Sequence, residues 1–398
     1  MATVDSITNP DRMFEEAGIK VVLGKVVKAD AVNKTLMLAD GGTIHFDKLI
    51  LGLGARQMIS PLEGSTLKGV FTLRSAADAV RIREYLEAEN PRQLIFIGAG
   101  YTNLETASLL MTAKPDYYRA TVVELMEYPL PLMLDRDLAL GVQDYLAEKG
   151  LQMKMGEKAA RLLGNNGRVA GVELTSGEQI PGDFVLIAVG AAPNLELAQQ
   201  LDLALEKFGI QVNEFLETSH PDILAGGDCV EKLHFITKKP VLSMLRGPAV
   251  IQGRLLAKRL AGYAIPFPGV LNNSAVRLFD KYLGSVGLTE DAARREGFDP
   301  ITASAVSRSK HGMIPGVKPW TLKLVFDRQT QKLLGGQIIS DSEAPVKEID
   351  TINALILGGK TIPDLTLLMC AGTPDLSSEP SLEPITICAE QALQKMRG

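Results

Sequence analysis

The sequence is poor in the residues that build covalent or metal frameworks. Its 398 residues include three cysteines, Cys229, Cys370 and Cys388, and no two of them form a CxxC or other close pair. That argues against a disulfide framework, a zinc knuckle or a dithiol redox centre built within the chain. Four histidines, His45, His220, His234 and His311, are scattered without helical ligand spacing, so no metal site is expected. An excess of one charge is also missing. Lys and Arg number 42 against 47 Asp and Glu, a net −5, which leaves no footprint for nucleic acid or an anionic membrane. The longest apolar stretches, Leu94–Ile97 and Phe184–Val189, fall far below the roughly 18 residues of a membrane span. Residues 1–15 lack the basic start, apolar middle and small-residue cleavage site of a signal peptide. The expectation is a cytoplasmic protein with neither membrane nor nucleic acid as partner.

What is present is the composition of a soluble globular protein, 46% hydrophobic and 22% charged. At roughly 150 residues per domain, two or three domains are expected. Early strands are expected at Lys20–Ala29 and Asn33–Leu38, followed by a turn at Asp40-Gly41-Gly42. The apolar run Lys48–Gly54 reads as a strand buried on both faces. Ala76–Glu89 has helical periodicity and is stopped by Asn90-Pro91. Gln93–Ile97, Gly98-Ala99-Gly100, Tyr101–Thr112 and Ala120–Glu124 then read as strand, turn, helix and strand. Asp135–Lys149 is a further helix, closed by Gly150. From about Asn272 strands and turns alternate, with helices at Glu290–Glu296 and Val346–Leu357, an α+β pattern.

The turn Gly98-Ala99-Gly100-Tyr101-Thr102-Asn103 follows a strand and opens a helix, the context of a dinucleotide fingerprint. The first glycine permits the tight turn. The second lets a pyrophosphate approach the helix N-terminus. At the third position Asn103 stands where glycine or alanine is usual. Glu124 ends the next strand, where a carboxylate accepts hydrogen bonds from an adenosine ribose. No Arg or Lys lies between Val123 and Leu134 to meet a 2′-phosphate, which favours NADH over NADPH. The competing reading is a strand–helix turn without ligand. Gly52-Leu53-Gly54-Ala55-Arg56 ends a buried strand and alone says little. The stretch from Thr218 to Cys229, with Gly226-Gly227-Asp228, is more specific: an aspartate beyond a glycine pair can accept from ligand hydroxyls, or cap a helix.

In order, the segments GLGAR, GAGYTNLE, VVE, IAVGAAPN, TSHPDILAGGDCVE and GPAVIQGR resemble the FAD-dependent pyridine nucleotide-disulfide oxidoreductases. The chain is most similar to their coenzyme A-disulfide reductase, NADH oxidase and rubredoxin reductase branch. The last third resembles that branch's dimerisation domain. The resemblance implies α/β architecture, with two Rossmann-like nucleotide-binding domains and a C-terminal α+β dimerisation domain. The FAD-type domain is expected at 1–91 and 206–268, the NAD(H)-binding domain at 92–205 and the interface domain at 270–398.

It also implies site residues. Gly98, Gly100 and Glu124 match the NADH contacts, and Gly190 a nicotinamide-side backbone contact. Tyr101 matches the aromatic that shields the flavin, and Glu105 a glutamate near flavin and nicotinamide. Gly54 and Ala55 match the flavin-side crossing strand, and Gly227 and Asp228 the turn holding the ribityl chain. Gly247, Pro248 and Ala249 start the helix facing the flavin pyrimidine ring. The implied function is hydride transfer from NADH to FAD and on to a disulfide, persulfide, oxygen or protein acceptor, by a homodimer.

Relatives in this family begin with their own strand–GxGxxG–helix unit for the FAD pyrophosphate and carry a redox cysteine after it. No such unit precedes Gly98 here, so the FAD-type domain is expected to be incomplete at its N-terminus, with a complementing N-terminal chain as one candidate partner. The alternative function is a flavin-free NADH-binding protein or partner subunit. Cys229 and Cys388 are expected to be structural. Arg308, Lys310, His311 and Lys318 form a basic loop, read as a solvated hairpin or as part of a substrate entrance.

Overall fold

The computed structural model describes residues 8–58 and 62–397. At its centre five parallel strands lie in the order Val70–Phe71, Phe184–Ile187, Gln93–Ile97, Arg119–Glu124, Gln152–Met155. The inner strands are apolar runs, not alternating patterns, because both faces are covered. On one face Phe96, Val122, Phe184 and Leu186 pack against Ile82, Leu86, Leu104, Ala107, Val142 and Leu146 of the helices Ala76–Glu89, Tyr101–Ala113 and Arg136–Glu148. On the other, Ile95, Ile97, Val185 and Ile187 meet Leu162, Val172, Leu174 and Ile180 of a three-stranded antiparallel sheet. The Asn166-Gly167 turn of that sheet takes the left-handed conformation at both residues, the pairing a two-residue hairpin prefers.

The helix Ala76–Glu89 has the bounds its periodicity predicts. Ser75 and Asp78 form a capping box at its start, and Asn90 ends it at φ 47°. The strand Val70–Phe71 pairs with Val185–Leu186, so the central sheet draws on residues before position 92.

Two early expectations need correction. Lys20–Ala29 is not a single strand: the strand runs Val26–Asp30, and Ile19, Val21, Val22 and Leu23 lie exposed. Among the described residues no backbone hydrogen bond reaches 20–24, and the first is accepted by the Lys25 carbonyl from the Ala39 N–H at 2.8 Å; propensity without a partner does not make a strand. The run Lys48–Gly54 contributes only Leu49–Leu51, paired in parallel with Ile223–Ala225. Leu49 and Leu51 are buried, but Ile50 is 42% exposed, so only one face is covered among the described residues.

The last third is a five-stranded antiparallel sheet in the order Ser274–Leu278, Lys281–Gly287, Leu333–Ser340, Pro319–Asp327, Pro300–Arg308. The helices Glu348–Leu357 and Pro384–Arg397 pack against it through Ile349, Ile352, Cys388 and Ala389. Its edge hairpin places Val276, Leu278 and Leu283 in one cluster with Leu104 and Ala107 of the helix Tyr101–Ala113. That helix is thus held between two sheets. Asp135 clamps the same junction. Its carboxylate accepts from Gln337 Nε2 at 2.7 Å and the Glu290 N–H at 2.8 Å, and lies 3.1 Å from Lys323 Nζ. Burial alone would lower the Lys323 pKa, but the hydrogen bond to Asp137 and the charge of Asp135 outweigh it and hold it above the usual value. No helix among the described residues is long and apolar enough to cross a membrane.

Candidate active site

The turn Gly98–Gly100 sits where the strand Gln93–Ile97 ends and the helix Tyr101–Ala113 begins. Gly98 has φ 103°, and a Cβ there would lie 2.6 Å from the Ala188 carbonyl oxygen; the neighbouring strand leaves room only for glycine. At Gly100 a Cβ would meet nothing within 4 Å, so this glycine borders open space. No side chain caps the helix, which leaves its first amides and the positive end of its dipole free for an anion. Asn103 explains its own departure from the glycine pattern. It is fully buried, and its Nδ2 donates to the carbonyls of Ile97 and Gly98, both at 2.8 Å. The amide therefore ties the turn that a small residue would only allow.

Glu124 closes the adjacent strand. Its Oε2 accepts from the Ala99 N–H at 2.6 Å and its Oε1 from the Met126 N–H at 2.8 Å. The loop that follows folds back, with the Leu130 N–H donating to the Ala99 carbonyl at 3.1 Å. These elements open on a cleft of about 810 Å³, lined by Gly98, Gly100, Tyr101, Glu124 and Gly190 among others. Tyr101 lines it and is 39% exposed. Glu105, one turn further along the helix, is half-buried and does not line the cleft. Burial pushes its carboxyl pKa above the usual range.

A second constellation adjoins the first. The strand Ala55–Gln57 crosses to pair with Ala191–Pro193. The Met58 N–H donates to the Gly190 carbonyl at 3.0 Å, and the Asn194 N–H to that of Gly54 at 3.1 Å. Gly54 and Ala55 are thereby brought beside Gly190. The turn Gly226–Asp228 follows the strand Ile223–Ala225, with Gly227 at φ 82° and its N–H bonded to Gln252 Oε1 at 2.8 Å. Gln252 belongs to the helix Arg246–Leu260, whose first turn carries Gly247, Pro248 and Ala249 and has no side-chain cap. Asp228 Oδ2 pairs with Arg74, which itself lines the cleft. Arg74 joins the two constellations.

A family model described as pyridine nucleotide-disulphide oxidoreductase matches residues 4–248, and the dimerisation domain of the same family matches residues 274–382. The chain belongs to this family. It is 32% identical to an NADH oxidase of Methanocaldococcus jannaschii over 93% of this chain and 82% of that protein. It is 34% identical to a CoA-dependent NAD(P)H sulfur oxidoreductase of Pyrococcus furiosus over 87% of this chain and 76% of the relative. An NAD-dependent persulfide reductase from A. fulgidus superposes with a TM-score of 0.92 and 30% identity, covering 100% of this chain and 73% of that one. As a member of the pyridine nucleotide-disulphide oxidoreductase family the chain is an NAD(P)H-dependent flavoprotein oxidoreductase, with FAD and NAD(H) as cofactors and a C-terminal dimerisation domain.

The residues present fit both cofactors. The open helix terminus at Gly100 suits a pyrophosphate. On the flavin side Asp228 Oδ1 and Gln252 Nε2 are buried with no hydrogen-bond partner among the described residues. Buried polar atoms seldom stay unpaired, and here one acceptor and one donor stand ready for ligand hydroxyls and carbonyls.

Reading along the sequence misses Arg74 and Lys232. Arg74 meets Asp228 across 154 positions. Lys232, 3% exposed, donates through Nζ to the Gly227 carbonyl at 2.6 Å and braces the Asp228 turn from behind. Burial lowers its pKa. Cys229 and Cys388 are fully buried and Cys370 is exposed. In the basic loop, His311 lies 3.3 Å from Glu379. A second groove of about 510 Å³ surrounds Lys323, but that ammonium is already paired with Asp135, Asp137 and Glu290.

Proposed function

We propose that the protein passes a hydride from NADH to FAD and then electrons to a small oxidant, a persulfide, a disulfide or oxygen. The observation that carries this reading is the junction of the two constellations. The Gly98–Gly100 turn and Glu124 open on the same cleft as Arg74, and Arg74 holds Asp228.

In this reading the pyrophosphate of NADH rests on the free amides of the helix Tyr101–Ala113, and Glu124 accepts from the adenosine ribose. Tyr101 covers the inner end of the cleft and moves aside for nicotinamide. Gly190, held by Met58, offers backbone to the nicotinamide side. Gly54 and Ala55 flank the ring system from the crossing strand. Gly227 permits close approach, and Asp228 accepts from the ribityl hydroxyls while Arg74 neutralises it. Pro248 and Ala249 present the N-terminus of a 15-residue helix to the pyrimidine edge, where its dipole favours negative charge. FAD, when bound, takes up the hydride and releases electrons one or two at a time.

The unpartnered Asp228 Oδ1 and Gln252 Nε2 favour a flavin-binding protein over a flavin-free one. The dimerisation domain supports a homodimer as the working assembly. The test is NADH-dependent reduction of an artificial dye by the full chain supplied with FAD. Turnover that requires both cofactors is expected, and dye reduction independent of FAD would overturn the reading.

A further inference from the structure

The strand Gln152–Met155 pairs with the strand that ends in Glu124, and the chain then continues alongside the carboxylate. The Gly156 N–H donates to the Met126 carbonyl and the Glu157 N–H to the Glu124 carbonyl, both at 2.9 Å. Lys158 is the next residue. It lines the same cleft as Glu124 and Gly100, and it is exposed. Among the described residues its ammonium makes no ion pair and no hydrogen bond. Two other cations of the cleft are already paired, Arg74 with Asp228 and Lys239 with Glu296 at 2.7 Å. Arg295 makes no ion pair among the described residues either, but it ends the helix Glu290–Arg295 of the C-terminal third rather than following the strand beside Glu124.

We infer that Lys158 is a specificity-determining residue that meets a 2′-phosphate, so that the cleft accepts NADPH beside NADH. The inference rests on the reading that this cleft holds a pyridine nucleotide. Two carboxylates, Glu124 and Glu157, line the cleft around Lys158 and repel a phosphate dianion. Both oxygens of Glu124 already accept backbone amides, so it cannot swing away to make room. A free ammonium on a flexible four-carbon stem at the same wall offsets that repulsion without disturbing a ribose hydroxyl. The sequence between Val123 and Leu134 holds no cation. The fold supplies one from the next strand connection.

The experiment is calorimetric titration of the full chain with NADH and NADPH, in the unsubstituted protein and in Lys158→Ala, Lys158→Arg and Arg295→Ala. Lys158→Ala is expected to weaken NADPH roughly tenfold, the scale of one charge-assisted hydrogen bond, with NADH changed less than about twofold. Lys158→Arg is expected to restore NADPH. Equal loss of both nucleotides, an unchanged NADPH affinity, or a selective NADPH loss in Arg295→Ala alone would overturn the assignment. If the unsubstituted chain binds neither nucleotide, the cleft reading itself fails, and this assignment with it.

Discussion

The carboxylate of Glu124 accepts the Ala99 N–H at 2.6 Å, so the acid at the end of one strand holds the glycine turn at the end of the next. The residue that reads the ribose in the proposed complex therefore also shapes the phosphate site. Glu124→Ala is expected to cost about 1–2 kcal/mol of stability in denaturant unfolding, as two charge-assisted bonds at a part-exposed site are lost. It is also expected to weaken NADH several-fold. A variant with native stability and native NADH affinity would contradict both roles.

The two glycines of the turn separate fold from function. Gly98→Ala puts a side chain at φ 103° and 2.6 Å from a carbonyl oxygen, and is expected to lose about 2–4 kcal/mol. Gly100→Ala meets no atom within 4 Å and keeps an ordinary φ of −76°. It is expected to melt like the unsubstituted protein while binding NADH at least tenfold more weakly. Thermal melts and nucleotide titrations of the pair distinguish the two effects.

On the flavin side, Asp228→Asn keeps the shape of the turn but removes the charge that Arg74 meets. Its flavin content after desalting, read from the ratio of visible to ultraviolet absorbance, is expected to fall well below that of the unsubstituted protein. Arg74→Ala is expected to act in the same direction, because it leaves a carboxylate that is mostly buried without a counter-charge. Equal flavin content in all three proteins would exclude Asp228 and Arg74 from the site.

Burial raises the pKa of the Cys229 thiol and pushes that of Cys388 up to about 12. Both are therefore protonated and shielded at pH 8. A thiol-reactive disulfide reagent is expected to titrate Cys370 alone in the native protein, and all three cysteines in denaturant. A second fast thiol in the native protein would mean that the core around Cys229 or Cys388 opens.

Three carboxylates with strongly lowered pKa values are expected to contribute to acid sensitivity. The hydrogen bond from Arg168 and the Lys68 ammonium hold Glu89 at about 2, and Lys34 and Lys48 hold Asp222 at about 2. Asp280, hydrogen-bonded by Tyr145 and beside Lys149, also lies at about 2. Their folded values lie below the ordinary 4.5 and 3.8, so their contribution is present above about pH 4.5 and disappears as pH falls toward 2. The melting temperature is expected to drop over that window, and the double variant Glu89→Gln, Asp222→Asn to lose part of the drop. An identical acid profile would show that these surface pairs contribute nothing.

What could be read directly from the sequence was local. Gln93–Glu124 declared itself because strand, turn, helix and strand follow one another and its two strands pair directly with each other. Ser75 and Asn90 likewise bracket a helix within a few positions. The segment Lys20–Gly24 has strand composition but finds no backbone partner among the described residues, and composition cannot report that. The hairpin strand Lys281–Gly287, with Gly284 at its middle and Gly287 at its end, carries too weak an alternation to stand out. Arg74, Lys158 and Lys232 escaped for another reason. The partner of Arg74 and the cleft neighbours of Lys158 lie far away in the chain, and no spacing rule links a lone cation to a carboxylate 154 positions on; Lys232 turns back onto the carbonyl of nearby Gly227, a contact that its sequence position does not announce.

The central claim is that one cleft joins a nicotinamide site to a flavin site. Its most direct test is anaerobic addition of NADH to the FAD-supplied full chain, followed at the visible flavin band. The band is expected to bleach stoichiometrically with NADH, and to bleach more slowly in Gly100→Ala. A protein that takes up no FAD, or whose bound flavin stays oxidised under excess NADH, would contradict the account.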